Sequence, residues 1–204
     1  MNLTFLGDAL DHWKGSLFES LTREGIFRNF AVDPMASDLP AWQPDDFRLF
    51  AELLGVDRSQ IVEHQSTLSN RSTYFAEINH LGDLFLDPDT GVATGKRRPS
   101  QQHITASEIA GLLAPDRVLA VYQHVRARRV CDRVDAVCQV IRSQTSPCHW
   151  CSYESGTVAM IFLGRTAERI STVAGHFSSR LGRHAVGRIR ASTHEPEVEH
   201  SAGR

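Results

Sequence analysis

Two periodicities alternate along this chain: short apolar runs of strand length, and longer stretches with apolar residues three or four apart. Leu3 to Leu6 (LTFL) reads as a buried strand, and Trp13 to Leu21 as a helix with Trp13, Leu17, Phe18 and Leu21 on one face. Phe27 to Val32 (FRNFAV) is a second strand, ending at Asp33-Pro34. Pro40 to Pro44 marks a loop, and Asp45 to Leu54 a helix that Gly55 stops. Ile61 to His64 has the composition of a short strand, Ser72 to Ile78 of a helix, and Leu84 to Leu86 of a strand that runs into DPDTG, residues 87 to 91. Residues 92 to 103 have loop composition, with Gly95, Pro99 and three consecutive cations. Thr105 to Leu113 is a helix opened by a Thr105/Glu108 capping box and ended by Pro115. Val118 to Tyr122 is a strand and Val130 to Ile141 a helix. Tyr153 and Thr157 to Leu163 form a closing strand pair turned at Ser155-Gly156.

Parallel strands need crossover connections, and these are usually helices. The alternation therefore predicts an α/β protein: a single-domain three-layer sandwich with a mainly parallel central sheet and helices on both faces. The expected domain is 1–191, followed by a flexible polar tail, 192–204 (STHEPEVEHSAGR). Ligand sites in open α/β sheets lie beyond the carboxyl ends of the strands. The residues that follow each expected strand are Gly7-Asp8-Ala9-Leu10-Asp11, Asp33-Pro34, His64, Asp87-Pro88-Asp89-Thr90-Gly91 and Gln123-His124. Acids and histidines thus gather on one edge. Asp33-Pro34 and His64 read as ordinary turn chemistry, whereas Asp8, Asp87 and His124 end the most apolar strands and are the catalytic candidates. Asp8 is expected to face the site and Asp11 to cap the helix near Trp13.

Composition narrows the class. A chain of 204 residues, 41% hydrophobic, suffices for one sizeable core. It has no run near the roughly 20 apolar residues of a membrane span and no basic-then-apolar leader, so a cytoplasmic protein without a membrane partner is expected. The net charge of −2 conceals a division: residues 1 to 95 carry 6 Lys/Arg against 15 Asp/Glu, and residues 96 to 190 carry 15 against 6. Such asymmetry, carried almost wholly by arginine, points to a polyanion. The bland alternative is that the halves neutralise one another across the fold.

The chemistry is narrowed by what is missing. Neither G-x-G-x-x-G nor G-x-x-x-x-G-K-[ST] follows the first apolar run, and no G-x-S-x-G is present, which disfavours dinucleotide, P-loop and serine-nucleophile sites. Cys148-x-x-Cys151 offers two possible zinc ligands, but Cys131 and Cys138 lie about 10 Å apart along a helix and cannot complete the tetrahedron; no metal or other cofactor is expected, and the thiols read as reduced and partly buried. An acid and histidine site beside a basic surface remains. Asp8 and Asp87 would handle water and positive charge, His124 would donate to a departing anion, and Asp11, Trp13, Lys14, Asp89 and Tyr122 would contact substrate, Trp13 and Tyr122 by stacking a rotated base. Lys96, Arg97 and Arg98, with Arg126, Arg128 and Arg129, would grip phosphates.

Gly7-Asp8 after an early strand, and His124 followed by Val125 to Arg129 after a late one, resemble the uracil-DNA glycosylase superfamily. In that family the first loop handles water and the second grips DNA. The resemblance implies a DNA glycosylase that flips out and excises a modified base, with DNA as partner and no obligate protein partner; anti-phage defence, known for some bacterial members, would be one role. The family's proline after the acidic residue is replaced by Ala9, and its His-Pro-Ser by His124-Val125-Arg126. FLDPDTG, residues 85 to 91, is in turn similar to the Asp-Pro-Pro-Tyr motif at the fourth strand of amino-methyltransferases, a fold the closing strand pair would also suit. That resemblance implies an S-adenosylmethionine-dependent nucleic-acid methyltransferase, although Asp89 and Thr90 replace the Pro and the stacking Tyr. A non-catalytic nucleic-acid-binding module is the third expectation.

Overall fold

The computed structural model describes residues 1–37, 41–63, 70–79, 82–95, 100–125 and 129–192. Helix α1 spans Ala9–Arg23, strand β1 Ala31–Asp33, α2 Pro44–Leu54, α3 Arg71–Ile78 and β2 Leu84–Leu86. Strands β3 (Gly91–Ala93) and β4 (His103–Thr105) then pair with each other, and α4 (Ala106–Leu112) leads to β5 (Leu119–His124) and α5 (Val130–Arg142). The chain closes with β6 (His149–Ser155), β7 (Val158–Gly164), α6 (Ala167–Leu181) and β8 (Ile189–Ala191).

The α/β class and the layered architecture follow the alternation. Six strands form one sheet in the order β1-β2-β5-β7-β6-β8. The first three are parallel, with Ala31 opposite Leu84 and Leu84 opposite Leu119. Strand β7 runs antiparallel between β5 and β6, and β8 is antiparallel to β6, so β7 and β8 run against the other four strands. Strand residues divide by parity between two cores. Val32, Phe85, Ala120, Met160 and Phe162 meet α1, α2 and α6 through Phe18, Leu21, Phe50, Leu54, Val173 and Phe177. Leu84, Leu86, Val121, Ile161 and Leu163 meet α3, α4 and α5 through Tyr74, Ile109, Leu112, Val134, Val137 and Ile141. Burial on both faces explains why β2 and β7 are apolar throughout.

Several expectations are corrected. Leu3–Phe5 is a 3-10 turn rather than a strand: the Asn2 side chain accepts from Thr4 N, and the Met1 amine is drawn to the carbonyls of Pro34, Met35 and Asp87, leaving no partner strand. The strand expected over 27–32 shrinks to Ala31–Asp33, because Phe27 and Phe30 turn into the aromatic cluster around Phe18. Ile61 makes a single bridge to Val32 instead of a strand. Within the stretch read as loop, Val92 and Ala93 belong to β3 and His103 to β4. Helix α6 was not legible as an element, although Ile170, Val173 and Phe177 line one face of it. Pro40, His64 and residues 193–204 of the expected tail lie outside the described residues, whereas Ser192 donates from its amide to Trp150 O.

Buried ion pairs link the layers. Asp83 Oδ1 accepts from Val118 N at 2.6 Å, and its Oδ2 accepts from Arg28 N and Arg169 Nη2, each at 2.7 Å. Arg117 donates to the carbonyls of Gly82, Asn79 and Leu112. Between helices, Gly15 of α1 lies against the backbone of α2 so closely that a Cβ there would sit 2.0 Å from Leu53 O.

Candidate active site

Asp8, not Asp11, is the N-cap of α1. Its Oδ1 accepts from Leu10 N at 2.7 Å and Asp11 N at 3.2 Å, so the helix begins at Ala9, one turn before the expected start. The cap is preceded by Gly7, whose φ of 86° lies in the left-handed region that glycine tolerates. Asp11 and Lys14 follow at i, i+3 on the inward face. Asp11 Oδ2 accepts from Gly7 N, and Lys14 Nζ lies 2.9 Å from Asp11 Oδ1 and 2.8 Å from Asp87 Oδ2. Burial pushes the Lys14 ammonium down, but Asp87 and Asp11 outweigh it and its pKa is raised, so it stays charged. Asp11 is raised above the ordinary carboxyl value, burial outweighing Lys14.

The turn after β2 supplies the second wall. Asp89 pairs with the Met1 amine at 3.0 Å and accepts from the Ser37 hydroxyl. Gln123, buried on β5, binds this turn: its Oε1 accepts from Val92 N at 2.9 Å, and its Nε2 donates to the carbonyls of Thr90 and His124. The fit requires Gly91, where φ is 87° and a Cβ would lie 2.4 Å from Gln123 Nε2.

Strand β5 supplies the floor. The Tyr122 ring lies 4.4 Å below Lys14 Nζ and meets the His124 ring edge-on, with centroids 4.8 Å apart. Its hydroxyl is buried without a hydrogen-bond partner. Burial first, then Asp87, Asp8 and Asp11, hold its pKa far above the ordinary phenol value, so the hydroxyl keeps its proton. Together these elements enclose a cavity of about 190 Å³, with Asp8, Asp11, Lys14, Asp87, Asp89, Tyr122 and His124 in its wall and Phe5 at its edge. Among the described residues, Asp8 Oδ2 and Asp87 Oδ1 make no hydrogen bond.

Seven of the eight expected catalytic and substrate contacts thus converge. The eighth, Trp13, is corrected: it packs edge-on against Tyr153, centroids 5.8 Å apart, because its position on α1 faces β6 rather than the cavity. Phe5, Met1 and Asn2 were missed; Phe5 read as the inside of a strand, and nothing in its local pattern marks it as exposed.

The basic surface is less complete. Lys96, Arg97, Arg98, Arg126 and Arg128 lie outside the described residues, while Arg129 is exposed at the start of α5. Other second-half arginines are engaged internally: Arg133 with Val92 O, Arg165 with Leu113 O, Arg169 with Asp83, and Arg190 with Glu154 and Asp135. Of these four, Arg169 alone pairs with an acid of the first half, so neutralisation between the halves rests there on one ion pair. The four cysteines are free, and burial pushes the Cys148 thiol up to about 11. Among the described residues no group of three His, Cys, Asp or Glu is placed to hold a metal, and no helix is long and apolar enough to cross a membrane.

The fold and site define a mixed α/β protein with a carboxylate-lined cavity at the carboxyl ends of its parallel strands. No family model, curated protein or solved structure matches the chain.

Proposed function

We propose that the cavity is the active site of a DNA glycosylase, which hydrolyses the bond between a flipped base and its sugar. The observation that carries this reading is the meeting, at the ends of β2 and β5 and the start of α1, of two carboxylate oxygens and one buried, protonated hydroxyl that make no hydrogen bond among the described residues. As the C1′–N bond breaks, its electron pair leaves with the base, and Tyr122 and His124 are placed to donate to the ring. The positive charge left on the sugar is stabilised by Asp8. Water adds at C1′, Asp8 accepts its proton, and that proton ends on the departed base. The site spans one small ring, whereas phosphates would be repelled by its acids and held outside, by Arg129 and the basic segments that follow His124 and Gly95 in sequence.

Asp8→Asn tests the reading, because asparagine caps a helix as well as aspartate but carries no charge. Wild-type protein incubated with single- and double-stranded DNA carrying normal, deaminated and modified bases is expected to leave alkali-labile abasic sites. Asp8→Asn should retain its melting temperature and lose at least about a hundredfold in rate, the range of one general base. DNA that stays intact across the panel overturns the proposal.

A second reading, an S-adenosylmethionine-dependent nucleic-acid amino-methyltransferase, draws on two observations: the Asp87-Pro88 turn opens onto the cavity from β2, and β7 is inserted antiparallel between β5 and β6. The residues present do not fit the methyl donor. Asp33 to Ser37 after β1 contain no glycine, the carbonyls of Pro34 and Met35 are occupied by the Met1 amine, and about 190 Å³ is below the roughly 300–1,000 Å³ of ligand pockets. Calorimetric titration with the methyl donor discriminates: a binding isotherm favours this reading, and a flat one removes it.

A further inference from the structure

Phe5 is 59% exposed, one of three large apolar side chains so exposed among the described residues, with Leu49 and Val186, and it alone of the three lines the cavity. Its backbone is held in place: Leu6 N donates to Leu3 O, Asp8 N donates to Phe5 O, and Asn2 caps the turn from below. An aromatic face fixed at the edge of a cavity is suited to stacking on a planar ring. The polar wall beyond it is rich in acceptors. Asp8 Oδ2 and Asp87 Oδ1 make no hydrogen bond among the described residues, and the Tyr122 hydroxyl supplies a donor.

Taken together, the geometry points to a ligand ring that bears an exocyclic amine, an aminopurine or aminopyrimidine, stacked on Phe5 with its amine toward Asp87 and a ring nitrogen toward the Tyr122 hydroxyl, Asp8 being left to the sugar and its water. A ring that presents a carbonyl at the same edge would set its lone pairs against the Asp87 carboxylate and leave that carboxylate unpaired, which is the stronger form of discrimination. Phe5 is thereby a specificity-determining residue that the local pattern conceals. This inference rests on the reading that a base enters the cavity, and not on hydrolysis.

Ligand-observed NMR titrations of the full chain with adenine, cytosine, hypoxanthine and uracil test it. Adenine or cytosine is expected to bind at least about fivefold more tightly than its deaminated counterpart, the minimum effect of leaving a buried polar group unpaired. Phe5→Ala should weaken that binding by roughly tenfold, as the loss of one stacking partner does, with Leu49→Ala unchanged. Tyr122→Phe should keep the fold and narrow the gap between amine and carbonyl rings. Equal binding of the paired bases, unchanged affinity in Phe5→Ala, or binding of none of the four overturns the inference. Amine-selective binding with intact DNA would end the glycosylase reading alone, and strand breaks confined to uracil sites would uphold hydrolysis while ending this inference.

Discussion

Tyr122 divides its side chain between two environments: the ring is packed in the core beside Phe85 and Met160, while the hydroxyl ends, unpartnered, at the cavity. A buried hydroxyl without a partner costs about 1–3 kcal/mol, so Tyr122→Phe should raise the stability of the unliganded protein by about 1 kcal/mol or more in chemical denaturation. A site residue that destabilises the free protein is expected where a ligand completes its bonding. Asp33 shows the same tension in its titration. Fully buried, it is pushed from 3.8 to about 6, burial outweighing Tyr74 and the Met35 N–H. The folded chain therefore holds a proton that the unfolded chain releases. Its favourable contribution is complete below pH 3.8 and disappears as pH rises through about 6. Asp33→Asn should be more stable than wild type at pH 8, by about 3 kcal/mol, with the difference vanishing near pH 4; denaturation midpoints at both values measure it.

At the level of elements, α1 carries most of what the site needs. The helix supplies Asp8, Asp11 and Lys14 from its first two turns, and its approach to α2 at Gly15 sets how far these side chains reach toward β2 and β5. Helix propensity alone favours alanine over glycine by about 1 kcal/mol. The 2.0 Å approach of Leu53 O to the site of a Cβ reverses that preference, because backbone cannot give way as a flexible side chain can. Gly15→Ala should lower stability by about 1–3 kcal/mol, read from thermal melts, and weaken ligand binding, since α1 must shift away from α2. The 3-10 turn before α1 and the Asp87–Gly91 turn after β2 are anchored differently, one by backbone bonds and one by the Gln123 carboxamide. Both anchors are distant in sequence from, or invisible to, the periodicity of the segments they hold.

Across the whole molecule, one buried ion pair, Arg169–Asp83, bridges the charge division between the halves. Asp83, in the acidic half, ties the start of β5 to the approach of β1 and to Arg169 of α6. Asp83→Ala leaves Arg169 buried without its carboxylate and two amides unbonded, and should cost about 3–5 kcal/mol in denaturant unfolding. Arg169→Met, which removes the charge as well, should cost less. The arginines that remain for an external polyanion are therefore fewer than the composition suggests, and Arg129 is exposed among them.

How much was legible follows from the range of each interaction. The buried strand Leu84–Leu86, the core of β5 and the capping box of α4 came from local pattern, because burial and capping act over a few residues; Asp87 and His124 were legible at the sheet edge too, whereas Asp8 reaches it as the cap of α1 and not from the end of a strand. Local pattern also misled: four residues at 3–6 have strand composition, yet a strand exists only if a partner strand offers its hydrogen bonds, and none does. The reversal of β7, the Lys14 bridge from Asp11 to Asp87, the exposure of Phe5 and the orphaned Tyr122 hydroxyl join residues up to a hundred positions apart. Those were decided by packing alone, since which oxygen is left without a donor depends on every neighbour that the fold brings to it.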